Sequence, residues 1–187
     1  HFDLPADAFG IWMTVHHHYY RGKEEGESEN QFVDRIVSNL ENLIISENPE
    51  TIAAFIAEPI TGASGVIVPP EGYYEKVQSV LSKYNIMFWA DEVITGFGRT
   101  GSDFGCTTMN IHDPDMMTFA KQLSSAYMPI SASAIRRDVY EAMIDQSAAA
   151  GAFGHGYTYS GHPVACAVAL RVLEIYERDN ILSLIHI

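Results

Sequence analysis

Two residues with complementary chemistry stand at the ends of short apolar runs: Asp91 after Phe88–Ala90, and Lys121 after Met117–Ala120. Runs of this kind predict buried strands, and parallel sheets present their chemistry where the strands end. A lysine behind an apolar run would be desolvated at one end and could lose its proton, which a Schiff-base lysine must do. The carboxylate of Asp91 could hold a cationic ring nitrogen. The pair therefore predicts a cofactor site.

A third ionisable residue, Glu58, ends an earlier apolar run over Ile52–Ala57. Glu58, Asp91 and Lys121 follow one another at intervals of roughly 30 residues, about one strand with its connection. A single charge at a strand end is common because strand ends are wet. Three such residues in succession, one of them a lysine behind an apolar run, favour a functional site.

The elements that position these residues alternate between strand and helix. Apolar residues at helical spacing predict helices over 31–45, from near 71 to 84, over 136–144 at the surface, and over 163–178. Apolar runs predict strands over 52–57, 86–90, 116–120 and 130–135, the first of them buried on both faces. The strand, helix and strand from Ile52 to Asp91 predict a parallel pair joined by a crossover. The loop Gly96–Gly101 has three glycines and is expected to need unusual backbone angles.

Composition excludes several classes of partner. The formal charge of -13 and the pI near 4.8 argue against binding to nucleic acid or to an anionic membrane, and favour small-molecule substrates. No apolar run approaches the ~20 residues of a membrane-spanning helix. The only cysteines are Cys106 and Cys166, which we interpret as inert thiols in a reducing, cytoplasmic setting.

Both ends of the chain suggest a partial domain. The sequence opens at His1 without an initiator methionine and closes on the apolar stretch 182–187. We therefore expect residues 1–187 to form a single partial domain.

Histidine clusters provide weaker candidates. His16 and His18 would share one face of a strand, but no third ligand follows at a recognised spacing, so no metal site is expected. His155 and His162 flank a glycine-rich turn, where a positional, hydrogen-bonding role is favoured over acid-base catalysis.

Four motifs follow one another along the chain: Glu58-Pro59 with Gly62–Pro70, Asp91–Gly101, Ala120-Lys121, and Thr158–Pro163. In their order and spacing they resemble the class III aminotransferases, which are pyridoxal-phosphate enzymes of fold type I. The chain is most similar to the branch that contains the ω-amino acid:pyruvate and amine transaminases, over about Phe2 to Leu182. The resemblance implies an α/β fold, namely the three-layer α/β/α large domain with a mostly parallel sheet, here incomplete.

The resemblance implies a role for each matched residue. Lys121 would bind pyridoxal 5'-phosphate as a Schiff base and then shuttle a proton, while Asp91 would keep the pyridine nitrogen protonated. Val93 would lie against the ring. Thr158 would bind the cofactor phosphate of the neighbouring subunit of a homodimer. Glu58 would lie near the substrate pocket, where the family pairs this acid with a mobile arginine.

Some positions depart from the family pattern. Gln122 and Ala126 stand where glycine is usual or common, and Ile94 stands where the 4-aminobutyrate branch favours a glutamine that would bond the cofactor's phenolic oxygen. Ile94 thus favours the pyruvate-linked branch. The family's N-terminal phosphate-binding turn, its ring-stacking aromatic residue, its C-terminal small domain and its substrate-carboxylate arginine have no counterpart in these residues.

The function predicted from these motifs is ping-pong transfer of an amino group from an ω-amino acid or amine to an α-keto acid such as pyruvate. An aminomutase or decarboxylase on the same scaffold is an alternative, since it would share the cofactor residues. A non-catalytic truncated fragment is another, and we expect the 187 residues alone to be inactive.

Overall fold

The computed structural model describes residues 10–184, so His1 and the end of the apolar stretch 182–187 lie outside the described residues. The described chain forms two compact units. The first, the helical unit, covers residues up to Ala53 together with Val68–Ile86. The second, the sheet unit, covers Ala54–Ile67 and the residues from Met87 onward. The single partial domain inferred from the sequence stays a prediction.

The helical unit is built around two amphipathic helices. Its elements are α1 (Tyr19–Gly22), α2 (Glu29–Ser46), a 3-10 turn (Pro49–Thr51) and α3 (Tyr73–Lys83). Ser28 begins α2 with a capping box shared with Gln31, which satisfies two backbone N–H groups. Val33, Ile36 and Leu40 of α2 are buried, as the predicted helical spacing requires. The helices predicted over 31–45 and from near 71 are confirmed.

The sheet unit contains four strands in the order β1-β2-β3-β4. Its elements are β1 (Ala54–Ala57), β2 (Met87–Asp91), α4 (Gly105–Thr108), β3 (Met116–Phe119), a 3-10 turn (Lys121–Leu123), β4 (Ala132–Ile135), α5 (Arg137–Ala150), α6 (Pro163–Arg178) and a 3-10 turn (Ile181–Leu184). The pairs β1–β2 and β2–β3 are parallel, whereas β4 is antiparallel to β3. The α/β class and the mostly parallel sheet predicted from the sequence are confirmed.

The expectation that the first strand is buried on both faces is wrong. Side chains alternate between the two faces of a strand, and β1 is an edge strand of the described sheet. Phe55 packs on Phe88 of β2, with ring centroids 5.6 Å apart. Ile56 faces the other way and is 58% exposed.

The helix predicted over 136–144 is longer than expected. It extends through an alanine run to Ala150, and Gly151, at a φ of 87°, ends it in the left-handed conformation. Its side chains are partly or fully exposed, which confirms a surface helix. The helix predicted from Pro163 to Arg178 is observed with those bounds as α6.

Across residues 10–184, none of the helices combines the length and the apolar character that crossing a bilayer requires.

Candidate active site

Three ionisable residues lie at one edge of the sheet, as the sequence predicts. Glu58 follows β1, Asp91 is the last residue of β2, and Lys121 follows β3 by two residues. Since these three strands are parallel and adjacent, their carboxyl ends meet at the same edge, with neighbouring strands about 4.8 Å apart. The topology therefore brings the acids Glu58 and Asp91 and the amine of Lys121 to the carboxyl ends of the three parallel strands.

Asp91 is half-buried, and its two carboxylate oxygens differ. Oδ1 accepts a hydrogen bond from the backbone N–H of Val93 at 3.0 Å and one from the Thr118 hydroxyl at 3.4 Å. Within the described part of the chain, Oδ2 accepts no hydrogen bond. The sequence analysis missed Thr118, although its position opposite Asp91 follows from the register of β2 and β3. One oxygen of Asp91 is thus fixed and the other is available to a donor.

Lys121 lies in a strained turn. Its φ is 46°, in the left-handed region that non-glycine residues rarely adopt. Its side chain is exposed, so the desolvation expected from the apolar run 117–120 is wrong. The strand ends at Phe119, and the turn then carries the lysine out of the apolar environment. Among the residues that the structure describes, none forms an ion pair or a hydrogen bond with Nζ.

Val93 and Ile94 follow Asp91 in a turn and are both half-buried. Ile94 lies against Gly62, where an added Cβ would stand 2.6 Å from Ile94 Cδ1. The motif that contains Glu58 and the motif that contains Asp91 are therefore packed together. Their roles toward a cofactor stay predictions.

Glu92 is a buried carboxylate whose importance the sequence analysis missed. It is fully buried and accepts hydrogen bonds from the backbone N–H groups of Gly105 (2.9 Å) and Cys106 (2.7 Å) and from the Thr95 hydroxyl. The signal was present in the sequence, because alternation along β2 places Glu92 on the same buried face as Phe88. Glu92 ties the segment 93–106 to the end of β2, next to Asp91.

The glycine-rich loop 96–101 has unusual backbone angles, as expected, but not always at its glycines. Gly98 and Gly101 have φ of 99° and 88°, and Phe97 also adopts a positive φ of 57°. The Phe97 ring packs between Phe104 and Phe119, with centroid distances of 5.6 and 5.5 Å. We infer that this aromatic packing holds Phe97 in the left-handed conformation.

Cys106 is buried and unreactive in its setting. Burial raises the pKa of its thiol, and the nearby Glu92 carboxylate raises that pKa further. Since the thiolate is the nucleophile, Cys106 is protected from alkylation while this loop stays folded. Cys166, by contrast, is partly exposed.

Glu58 and Thr158 have contrasting surroundings. Glu58 is half-buried and accepts a hydrogen bond from the Gly62 N–H at 2.9 Å, which fixes the glycine-rich loop that follows β1. Thr158 lies in an exposed turn. In the described segments, no hydrogen bond connects the Thr158 side chain with Lys121 or Asp91. The phosphate and substrate-pocket roles implied for these residues stay predictions.

Ala126 adopts a backbone conformation that favours glycine. Its φ is 63°, and left-handed backbone costs an alanine about 1–2 kcal/mol more than a glycine. Gln122, the other residue that departs from the family pattern, does not have a positive φ, so its backbone carries no such strain.

We expect Ala126→Gly to raise the free energy of unfolding by about 1 kcal/mol, since relief of strain exceeds the entropy that glycine loses on folding. Urea unfolding of the variant measures this change. Ala142→Gly, in the middle of the exposed helix α5, is the control and should lower stability by about 1 kcal/mol. Destabilisation by both substitutions would contradict the assignment of strain to Ala126.

Residues 8–186 match the family model described as Aminotransferase class-III. The Gamma aminobutyrate transaminase 3, chloroplastic, of Solanum lycopersicum is 54% identical over 182 residues, which are 97% of this chain and 34% of the relative. The chain therefore spans about a third of the length of that curated relative.

Solved structures agree with this match. A transaminase with L-alanine is 49% identical, with a TM-score of 0.89 over 96% of this chain and 44% of that chain. The omega transaminase of Pseudomonas jessenii in complex with PMP is 52% identical, with a TM-score of 0.88 over 94% of this chain and 40% of that chain. Both similarities extend across nearly the whole described chain.

Proposed function

Because the chain belongs to the class III aminotransferase family, we propose that the protein transfers an amino group from an ω-amino acid or amine to an α-keto acid such as pyruvate. The family resemblance and the fold type I architecture predicted from the four motifs are confirmed. One observation carries the proposal: Asp91 and Lys121 lie at the same edge of the adjacent parallel strands β2 and β3.

The residues at this edge fit the cofactor of the family, pyridoxal 5'-phosphate, of which the similar Pseudomonas jessenii structure holds the PMP form. Oδ2 of Asp91 can accept an N–H, because the described hydrogen bonds of this carboxylate both end on Oδ1. Lys121 presents an exposed primary amine. A carboxylate acceptor and an amine match the cofactor's ring nitrogen and its aldehyde. When bound, the cofactor supplies that aldehyde and an electron-withdrawing ring.

Each residue has a defined task in the proposed mechanism. Asp91 would accept a hydrogen bond from the ring nitrogen, and the Val93 N–H holds the carboxylate in place for this. In the resting protein, Lys121 Nζ would hold the cofactor covalently. With a donor amine bound in its place, the freed Nζ would accept the proton that leaves the amine-bearing carbon of the donor and would pass it on within the site. In the second half of the ping-pong cycle, the same amine would deliver a proton to the carbon that carries the carbonyl group in the keto acid.

The side chains beside Asp91 and Glu58 shape the rest of the proposed site. Val93 would contact the cofactor ring, and Ile94 would border it with an apolar surface where a glutamine would offer a hydrogen-bond donor. Glu58 would line the substrate pocket. Its carboxylate, held by the Gly62 N–H, supports this role by being fixed at the same edge of the sheet as Asp91.

The proposed substrates rest on the relatives. The tomato relative is named for γ-aminobutyrate, which is an ω-amino acid and supports that class of donor. A similar transaminase was solved with L-alanine, the amino acid that pyruvate becomes when it accepts an amino group. These two similarities together support an ω-amino donor with pyruvate as the acceptor.

A homodimer is part of the proposal. Thr158 would bind the cofactor phosphate of the partner subunit, and its exposure in a surface turn supports such a contact. The flanking aromatic residues Tyr157 and Tyr159 are 76% and 80% exposed, and the partner subunit would cover part of this surface. Sedimentation of the natural protein should give twice the mass of one chain, and a monomeric, active protein would contradict the proposal.

The decisive experiment loads the natural protein that contains this chain with pyridoxal 5'-phosphate, reduces it with borohydride and maps the labelled peptide. We expect the label on Lys121. A separate sample, loaded with the cofactor but not reduced, should convert 4-aminobutyrate and pyruvate into the semialdehyde and alanine in equal amounts. Label elsewhere, or none, would refute the proposed function. An isomerised amine or released CO₂ would instead indicate an aminomutase or a decarboxylase.

The chain of 187 residues and its compartment can be tested separately. Titration of the isolated chain with the cofactor should show weak binding, since the proposed phosphate site includes a residue of a second subunit. Tight stoichiometric binding would argue against this.

We propose a cytoplasmic location, supported by the two free cysteines. Imaging of the tagged natural protein checks it, and an organellar signal would contradict it.

A further inference from the structure

The turn that carries Lys121 is strained at three of its positions. Lys121, Ser125 and Ala126 all have positive φ, at 46°, 47° and 63°. Left-handed backbone at non-glycine residues persists only where surrounding contacts hold it. The turn's own backbone hydrogen bonds include those from the N–H of Ser124 to Lys121 O and from the N–H of Ser125 to Gln122 O, both 3.2 Å long. Both lengths lie at the upper end of the usual range, so contacts from outside the turn are of interest.

Tyr176 of α6 supplies such contacts from a helix far along the sequence. Its hydroxyl donates a hydrogen bond of 2.9 Å to the backbone carbonyl of Gln122, the residue after Lys121. The same hydroxyl is hydrogen-bonded to the Ser125 side chain. Since the tyrosine proton is committed to the carbonyl, the Ser125 hydroxyl must be the donor in the second bond. One phenol oxygen therefore ties together both ends of the strained turn.

The geometry points to Tyr176 as a positioning residue for Lys121. Its hydroxyl, fixed on the helix α6, holds the turn 121–126 in its left-handed conformation and so determines where Nζ is presented. This inference rests on the proposed function, in which Nζ anchors the cofactor and moves a proton. Tyr176 itself has no contact with reacting atoms in this role.

Two features favour positioning over simple packing. The contacts end on the backbone of the residue adjoining Lys121 and on a strained residue of the same turn, rather than on an apolar core. Removal of the phenol hydroxyl would also take one hydrogen-bond donor away from the Gln122 carbonyl, while the aromatic ring could stay in place. Deleting the hydroxyl alone should therefore loosen the turn and leave the fold largely intact.

The test is Tyr176→Phe in the natural protein, with Tyr140→Phe as the matched control because Tyr140 lies exposed on α5. We expect Tyr176→Phe to slow covalent attachment of pyridoxal 5'-phosphate to Lys121 about tenfold, because the substitution removes both hydrogen bonds of the phenol oxygen. The kcat of amino-group transfer should fall with little change in the KM of the donor. Tyr140→Phe should behave like the unmodified protein.

A second readout needs no cofactor. In the unloaded protein, hydrogen exchange at the amides of Ser124, Ser125 and Tyr127 should become faster in Tyr176→Phe and stay unchanged in Tyr140→Phe. Should Tyr176→Phe fail to fold, Ser125→Ala removes one of the two bonds and should give a smaller change of the same kind. In a folded double variant, the two effects should be less than additive, because both belong to one network.

The outcomes separate this inference from the proposed function. If the unmodified protein attaches the cofactor at Lys121, but Tyr176→Phe matches it in attachment rate, in kcat and in amide exchange, the positioning role is refuted. If the unmodified protein attaches none, the proposed function fails. The exchange data then decide whether Tyr176 still holds the turn.

Discussion

Replacing Lys121 by alanine is expected to lower the rate of amino-group transfer by at least about a thousandfold, because the substitution removes the proposed covalent anchor and the proton carrier together. The variant should keep its fold. Alanine retains a Cβ at a residue with φ of 46°, and the lysine side chain makes no hydrogen bond or ion pair with the other described residues. Turnover with 4-aminobutyrate and pyruvate measures the loss, and thermal unfolding checks the fold.

Lys83→Ala is the matched control. Lys83 is an exposed lysine that pairs with Glu41 at 2.6 Å in the helical unit, and exposed ion pairs contribute little to stability. This variant should transfer amino groups at the unmodified rate. Adding a small primary amine such as methylamine should restore part of the activity of Lys121→Ala, because a free amine can replace the missing proton carrier. An active Lys121→Ala protein without added amine would contradict the assignment.

Much of the sheet was predictable because its signal is local. The apolar runs over 52–57 and 86–90 place Glu58 and Asp91 at strand ends, and the crossover rule makes those strands parallel. The order of β1, β2 and β3 then follows the order of the chain. Three ionisable residues at a common edge could thus be inferred without coordinates.

The conformation and exposure of Lys121 could not be inferred in the same way. A left-handed φ at a lysine is not encoded by neighbouring glycines. In this fold it is accompanied by hydrogen bonds between the turn and Tyr176, which lies 54 residues after Gln122. No periodic pattern reports such a contact. The apolar run before Lys121 suggested burial, but the run ends with β3 and the turn redirects the chain.

The burial of Glu92 lies between these two cases. The sequence pattern that predicts it is local, but Glu92 was interpreted only as part of the motif Asp91–Gly101. Its alternation with Phe88 and Ala90 predicts a buried side chain, and a buried carboxylate requires donors. What the sequence could not provide was the identity of those donors. They come from Gly105 and Cys106, at the start of α4, after a loop whose path depends on aromatic packing.

The donors around Glu92 predict a large effect of its removal on stability. In Glu92→Ala, the backbone N–H groups of Gly105 and Cys106 and the Thr95 hydroxyl lose their acceptor. Leaving a buried donor unsatisfied costs about 1–3 kcal/mol, so we expect a loss of about 4 kcal/mol in the free energy of unfolding. Glu92→Gln keeps one acceptor oxygen and should lose about half as much. Urea unfolding measures both.

The alkylation rate of Cys106 measures locally how the loss of Glu92 affects the segment 93–106. Because its thiol is buried and its pKa raised by burial and by Glu92, iodoacetamide should modify Cys166 first in the unmodified protein. In Glu92→Ala the segment 93–106 should open, and Cys106 should become alkylated at a rate close to that of Cys166. Glu92→Gln removes the charge that helps to raise the pKa of Cys106, and should therefore shift its alkylation toward lower pH while burial still slows the reaction.

A control variant distinguishes the local function of Glu92 from a general effect of losing an acidic residue. Glu141→Ala, on the exposed surface of α5, removes the same charge and should change neither the unfolding free energy nor the alkylation of Cys106. Since Glu92 directly follows Asp91, opening of the segment in Glu92→Ala should also weaken cofactor binding. A Glu92→Ala protein that unfolds like the unmodified one and keeps Cys106 unreactive would show that the buried carboxylate does not hold this loop.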